Sequence, residues 1–488
     1  MMFFGLSLLV YGGLVAWLSS RLAGSTMEWS LTLAHLALAA GINAHLLWVA
    51  RRRSLSFLGS APLAFLVVHH VYFTLSGLRY FSPIVLYPQF DLTLPQQFAG
   101  SVAAAAVLLV CGLVLGRQRG PTSERMRAWV RAFAPDLGRL VVVSLVGSVL
   151  CKLVLFRLGY GSVYSGSEYG ENIVRSYWDF PILLANEVFG VLSIALGLLF
   201  LLRRGERSRH PIVFVAAAAA VLLQVAYVLL YLKARMILLT LPITLALVAE
   251  VTSRRRAERL LQAVWLLLPL VSLAGVQLTL LIGRFNVPED AGLRLAIGVI
   301  NRRADLTDFA TAMMVQSRGH AHDASIVPMA VLNAIPRAVF PGKASIVRDK
   351  YSDILEQRLG WPAGSGEDLQ TDYLDTAFSN GVMAFGLAGF LVVPVALVWL
   401  WGRAAEWLDR HARGLAYGLT LIPLWLGAMH IEGEWPWIPL NFRQAAFYAV
   451  LCLGLALAMR LLHDTLVVAG LPPARTRAGR GETAPARS

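Results

Sequence analysis

Apolar stretches of about 17–25 residues recur from one end of this chain to the other. Each is long enough to cross a hydrocarbon layer of about 30 Å. A segment that crosses lipid must satisfy its own backbone hydrogen bonds, which leaves helices or closed barrels. Barrel strands alternate apolar and polar residues, whereas these stretches are continuously apolar, so they are helices. Only 15% of the 488 residues are charged and 57% are hydrophobic, against about 25% charged in a soluble chain. The expected fold is all-α and polytopic, with about 12 transmembrane helices near 2–22, 28–50, 57–78, 97–116, 138–158, 179–202, 211–232, 236–251, 260–282, 373–401, 414–430 and 440–462.

Lys and Arg set the orientation, because cytoplasmic connections carry the excess. Arg51-Arg52-Arg53, Arg117 to Arg131, Arg203 to Arg209, Arg254-Arg255-Arg256 and Arg403 to Arg413 fall in alternate connections. Those connections belong on one face, with both termini in the cytoplasm. The net charge of +14 is therefore topological, with some contact to anionic lipid. It does not indicate nucleic acid. The N-terminus lacks a basic leader and reads as a retained first span. Cys111, Cys151 and Cys452 lie inside spans, with no spacing that suggests a disulfide framework or a metal site.

Four regions follow. Residues 1–282 hold helices 1–9, 283–372 form a large extracytoplasmic loop, 373–462 hold helices 10–12, and 463–488 form a cytoplasmic tail expected to be disordered. A loop that long is expected to fold. In RADLTDFATAMMVQ, residues Leu306, Phe309, Ala310, Met313 and Met314 share one helical face, with Asp305 and Asp308 off it. SIVRDKYSDILEQRL repeats the pattern. Such helices either pack on the membrane helices or lie flat in the interface. There is no internal repeat, which weakens a transporter reading.

Three places carry residues suited to chemistry. Arg235 and Lys233 stand at a tight junction between two apolar spans, where cations need anionic partners. A guanidinium fork suits phosphate oxygens; the alternative is a hairpin turn whose cations snorkel to the headgroups. In NAIPRAVFPGK, Pro336 and Pro341 fix the backbone around Arg337 and Lys343. That turn could grip a lipid-linked phosphate, or it could be a structural turn with solvated charges. In GEDLQTDYLDTAFSNG, residues Asp372, Asp375 and Ser379 share one face of the start of span 10. Asp372 suits either a helix cap or a base for a sugar hydroxyl, and Glu367 and Asp368 are alternative bases. Arg284 adds to the cations of the large loop and Arg443 flanks the last external one. Lys152 and Arg157, at the outer end of span 5, would extend a basic surface. His69 and His70 read as buried, hydrogen-bonded core histidines. His320, His322 and Asp323 offer a short metal-like cluster, weighed against a solvated loop.

The layout resembles the oligosaccharide repeat-unit polymerases of Wzy type, often called O-antigen polymerases. KARMILLTLPI resembles that family's arginine at a helix start. IPRAVFPGK resembles its Pro-Arg turn in the large loop, and TDYLDTAFSNGVMAFGLAG its Tyr-rich helix start followed by spaced glycines, here Gly381 and Gly386. The related O-antigen ligases typically show His-Asn where this chain has Asp372-Tyr373, which favours polymerase over ligase.

The resemblance implies a metal-independent glycosyltransferase of the bacterial inner membrane, without cofactor, working on the periplasmic face. Its donor would be a glycan on undecaprenyl pyrophosphate and its acceptor a hydroxyl of another lipid-linked repeat unit. Membrane lipids and a chain-length regulator are the implied partners. Arg235 and Arg337 would stabilise the departing pyrophosphate, with Lys343 assisting and Asp372 taking the proton. Lys233, Arg284, Glu367, Asp375 and Arg443 would contact substrate. A ligase-like transferase and a lipid-linked oligosaccharide flippase are the alternatives.

Overall fold

A computed structural model describes residues 2–21, 24–55, 60–81, 92–118, 137–158, 179–202, 211–231, 306–321 and 376–411, with isolated positions elsewhere. Every regular element among them is a helix. In chain order these are α1 (Met2–Ser19), α2 (Thr26–Arg52), α3 (Ala61–Ser76), a 3₁₀ turn (Arg79–Phe81), α4 (Leu94–Arg117), α5 (Leu137–Arg157), α6 (Asp179–Leu202), α7 (Pro211–Tyr231), α8 (Asp308–Gln316) and α9 (Ala377–His411). Among the described residues, α2, α4, α5 and α9 are long and apolar enough to cross a membrane, and α1, α3, α6 and α7 contribute shorter apolar segments. Among the described residues the chain is all-helical, with the long apolar helices of a membrane protein. The expected spans at 236–251 and 260–282 lie outside the described residues, as do those at 414–430 and 440–462 apart from isolated positions.

Local chemistry sets the helix starts. The Ser25 hydroxyl accepts from Glu28 N at 3.2 Å while the Glu28 carboxylate accepts from Ser25 N at 2.6 Å, a reciprocal cap that opens α2. Ser60 caps α3, where Pro62 occupies a first-turn position that needs no donor. Thr93 and Gln96 open α4. Outward faces stay apolar: α5 exposes Val146, Leu150, Leu153 and Phe156, and α4 exposes Val102, Val110 and Leu113. Solvent would oppose that arrangement and lipid tails accept it.

α2 packs on α1, α3 and α4, while α8 and α9 pack on α4, and α9 also on α3. α5, α6 and α7 pack on one another. A continuous core runs through both groups, including Leu36, Phe73, Leu108, Phe200, Phe378 and Phe390. Close approach relies on small residues, as is common where helices meet in lipid. Gly112 lies under His45 and Gly147 under Phe189. The ends of α2 and α4 lie side by side, since Gly116 faces Val49. Gln118 Nε2 donates to Val398 O at 3.0 Å, bringing α9 to the same end. Arg51, Arg52, Arg117 and Arg403 thus gather at one end of the bundle, and Arg79 stands at the other.

Two elements differ from the sequence expectation. The tenth span was expected as one helix over 373–401. α9 begins at Ala377, breaks at Gly386 and runs on to His411. Positions 381 and 389 of an unbroken helix would lie about 12 Å apart along the axis. Here a Cβ on Gly381 would strike the Gly389 carbonyl, and a Cβ on Gly389 would strike that of Gly381. The Phe378 and Phe390 rings stand 4.9 Å apart. The arm 377–385 therefore folds back on the stem that starts at 387. The hinge adopts φ 62° and ψ −145°, a region essentially reserved for glycine. The stem alone, at about 37 Å by helical rise, still exceeds the hydrocarbon thickness.

The second difference concerns α8. Asp305 and Asp308 were expected on a polar face turned away from the apolar one. Asp305 lies outside the described residues. Every residue from Leu306 to Met313 is buried, Asp308 included. α8 is wedged between α4 and α9, so its polar side meets protein instead of water.

Candidate functional site

What Asp308 meets is Arg79. α3 stops at Ser76, the chain turns at Gly77 against His35 and Leu36, and the 3₁₀ turn delivers Arg79 into the bundle. Arg79 Nη1 stands 2.6 Å from Asp308 Oδ1 and donates to Thr307 Oγ1 at 2.9 Å. Nη2 donates to Gln97 O at 2.8 Å and to Ser101 Oγ, both from the first turns of α4. The Tyr80 hydroxyl lies 3.4 Å from Nη2 and 3.3 Å from Ser101 Oγ. His35 Nε2 donates to Phe73 O at 2.7 Å, and its Nδ1 lies 3.4 Å from the Tyr80 hydroxyl. One guanidinium thereby joins the end of α3, the start of α4 and the start of α8, with α2 attached through Tyr80.

Thr307 shows how the local rules bend to this junction. A threonine ahead of a helix normally turns its hydroxyl to a first-turn N–H. Thr307 makes no such bond, and its hydroxyl oxygen accepts from Arg79 instead. Its carbonyl accepts from both Thr311 N and Thr311 Oγ1 at 2.7 Å. Asp308 in the first turn complements the positive end of the helix dipole as well as the guanidinium. Beneath Thr311, Gly100 has no room for a Cβ, because the Thr311 hydroxyl fills that space.

The junction extends to α9. Thr376 Oγ1 donates to Leu306 O at 3.2 Å and accepts from Phe378 N at 3.2 Å. Ser379 Oγ accepts from Thr376 N at 2.8 Å. Ser379, expected to share a face with Asp372 and Asp375, is buried and spent on this turn. At the far end of α8, Gly319 O accepts from Leu387 N at 3.0 Å, beside the Gly386 hinge. The α8 segment is thus tied on both flanks of the arm, to Thr376 just before it and to Leu387 at the start of the stem.

A second polar cluster lies among α5, α6 and α7. Lys152 Nζ donates to Ser148 Oγ at 2.8 Å and to Asn186 Oδ1 at 3.0 Å, and Gln224 Nε2 donates to Ser148 Oγ. Lys152 turns between helices and does not extend a basic surface with Arg157, which is exposed. His69 and His70 are buried, and His69 Nδ1 donates to Phe65 O at 2.8 Å, as expected of core histidines. His320 is exposed, while His322 and Asp323 lie outside the described residues. Among the described residues no group of three His, Cys, Asp or Glu side chains could hold a metal ion.

Arg235, Arg337, Asp372, Lys233, Arg284, Lys343, Glu367, Asp375 and Arg443 all lie outside the described residues. Sequence reasoning missed Arg79, Gln97, Ser101 and Thr376. The available signal was faint: an arginine closing an apolar span in SGLRYF, and an aspartate opening an otherwise apolar helix in DFATAMM. No family model, curated protein or solved structure matches this chain.

Proposed function

We propose that this protein is a glycan polymerase of the inner membrane. It transfers a growing chain from undecaprenyl pyrophosphate to a hydroxyl of another lipid-linked repeat unit on the outer face. The proposal includes twelve spans, cytoplasmic termini and a large outer loop between spans 9 and 10. The observation that carries it is the set of three motifs on that layout: KARMILLTLPI, IPRAVFPGK and TDYLDTAFSNGVMAFGLAG.

The chemistry needs stabilisation of negative charge on the leaving pyrophosphate. Arg235 and Arg337 supply fixed guanidinium groups for this, with Lys343 assisting, and such preorganised charge needs no metal. Asp372 takes the proton of the attacking hydroxyl, with Glu367 or Asp368 as the alternative base, and Asp375 contacts substrate. Lys233, Arg284 and Arg443 contact the charged parts of the two substrates.

Two features of the fold support the reading. A helix of the large loop, α8, is built into the end of the bundle opposite the Arg51 and Arg117 clusters, as a loop that closes over a one-sided site requires. Gly381 and Gly386, the glycines of the third motif, are the residues that let the start of α9 fold back beneath that loop.

The test is to incubate the purified full chain with its lipid-linked repeat unit, without divalent metal, and resolve the products on a gel. A ladder of lengths is expected. Transfer of preformed polymer to a different acceptor, with no ladder, would show a ligase. Movement of unaltered lipid-linked units across a vesicle bilayer would show a transporter.

A further inference from the structure

We propose that Arg79 and Asp308 are positioning residues for glycan transfer: their buried pair sets the start of α9, the helix whose preceding segment carries the candidate base. This rests on the function proposed above and adds to it a role for two residues outside the phosphate-binding set.

The chain of contacts is short. Arg79 holds Thr307 through its hydroxyl at 2.9 Å and Asp308 through its carboxylate at 2.6 Å. The residue before Thr307 is Leu306, whose carbonyl accepts from the Thr376 hydroxyl at 3.2 Å. The residue before Thr376 is Asp375, and Asp372 stands three positions further upstream. Two hydrogen bonds and one peptide unit therefore separate the Arg79 fork from Thr376, the residue that follows the acidic segment.

The link is rigid for physical reasons. Arg79 is held from two sides, by the acceptors Gln97 and Ser101 on α4 and by the Thr307 hydroxyl and the Asp308 carboxylate at the start of α8. A planar fork with fixed donors leaves α8 one register on α4. Gly100 reinforces that register, since Thr311 sits where any larger residue would place its Cβ. The second tie, Leu387 N to Gly319 O, stops α8 from pivoting about its first turn. A displacement at Asp308 must therefore move Thr376 or break the Leu306 contact. Catalysis by a positioned base is sensitive to such shifts, and a misplacement of about 1 Å can cost about a hundredfold in rate.

The experiment uses the full chain in nanodiscs with the lipid-linked repeat unit as substrate. Asp308→Asn keeps the shape and removes the charge; Arg79→Lys keeps the charge and removes the fork. Thr376→Val leaves the ion pair intact and removes only the link to Leu306 and the local cap. Hydrogen exchange is read over 306–316 and 376–385, and kcat and KM are measured separately.

All three variants are expected to lose protection over 376–385. Their kcat should fall by at least about tenfold while KM for the donor stays within about threefold. Thr376→Val should keep protection over 308–316, which a general loss of folding would not allow. Faster exchange with unchanged kcat overturns the positioning role and leaves the polymerase reading standing. Unchanged exchange over 376–385 in Asp308→Asn and Arg79→Lys also overturns it. A native chain that makes no ladder overturns the polymerase reading and this role with it.

Discussion

The guanidinium of Arg79 and the carboxylate of Asp308 meet at 2.6 Å, with 5% and 9% of their side chains exposed. Removing one member of such a pair strands the other in a medium that solvates charge poorly, at a cost of about 3–5 kcal/mol. Asp308→Ala and Arg79→Met should each lower unfolding stability in detergent by about that amount. The double variant Arg79→Met with Asp308→Leu should cost clearly less than the sum, because no charge is left unpaired. Additive losses in a double-mutant cycle would show that the two residues act independently.

The hinge at Gly386 makes a sharper demand. Its φ of 62° with ψ of −145° lies where a side chain costs about 1–3 kcal/mol in backbone strain alone. A Cβ there would also collide with the backbone of Gly319, His320 and Ala321. Gly319 shares the left-handed sign, with φ 80°, but its nearest neighbour would be Leu387 Cβ at an ordinary 3.8 Å. Gly386→Ala should therefore destabilise the protein more than Gly319→Ala, and it should open 376–385 to protease first. Equal losses, followed by thermal unfolding in detergent, would mean that the arm does not fold back on the stem.

Most of the helices among the described residues were legible, because continuous apolar runs have one solution in lipid. α6 begins at Asp179 and ends at Leu202, matching the expected 179–202, and α5 and α7 differ from expectation by a residue or so. α9 was not legible in the same way. Its glycines and apolar residues suit a straight span as well as a folded-back one, and the choice depends on the contact of the hinge with Gly319, far away in sequence, and on the pairing of Phe378 with Phe390 across the fold. Asp308 misled for a related reason. Helical periodicity says which residues share a face but not what that face meets, and here it meets an arginine more than two hundred residues away in sequence. Arg79 drew no reading from the sequence, because an arginine closing an apolar run has the same pattern as a cation that snorkels to the headgroups. The motif residues from Arg235 to Arg443 were named from spacing and resemblance, and they lie outside the described residues.

Gly100 gives a direct test of how α8 sits on α4. An added methyl would overlap the Thr311 hydroxyl, which is already engaged with Thr307 O. Overpacking of this kind costs about 1–3 kcal/mol. Gly12 in α1 has nothing within 4 Å of its would-be Cβ, so alanine there should be neutral or stabilising by up to about 1 kcal/mol. Unfolding curves for Gly100→Ala and Gly12→Ala should shift in opposite directions or differ by at least the overpacking cost. A Gly100→Ala protein as stable as the native chain would mean that α8 can slide along α4, and the Arg79 register would lose its second support.

Arg235 carries the heaviest share of the proposed chemistry, and its substitution separates function from folding. A fork that stabilises charge only as the pyrophosphate departs contributes to the transition state more than to binding. By comparison with oxyanion donors, its loss should lower kcat by about 10²–10³. Arg235→Ala should therefore insert into the membrane at native abundance and yield little or no long-chain polymer on a gel. Arg235→Lys should fall between, since it keeps the charge and loses the two-pronged geometry. Were Arg235→Ala to give polymer of normal length and amount, the residue would be a headgroup anchor at a hairpin turn, and the departing diphosphate would have to be met by other cations of the outer loop.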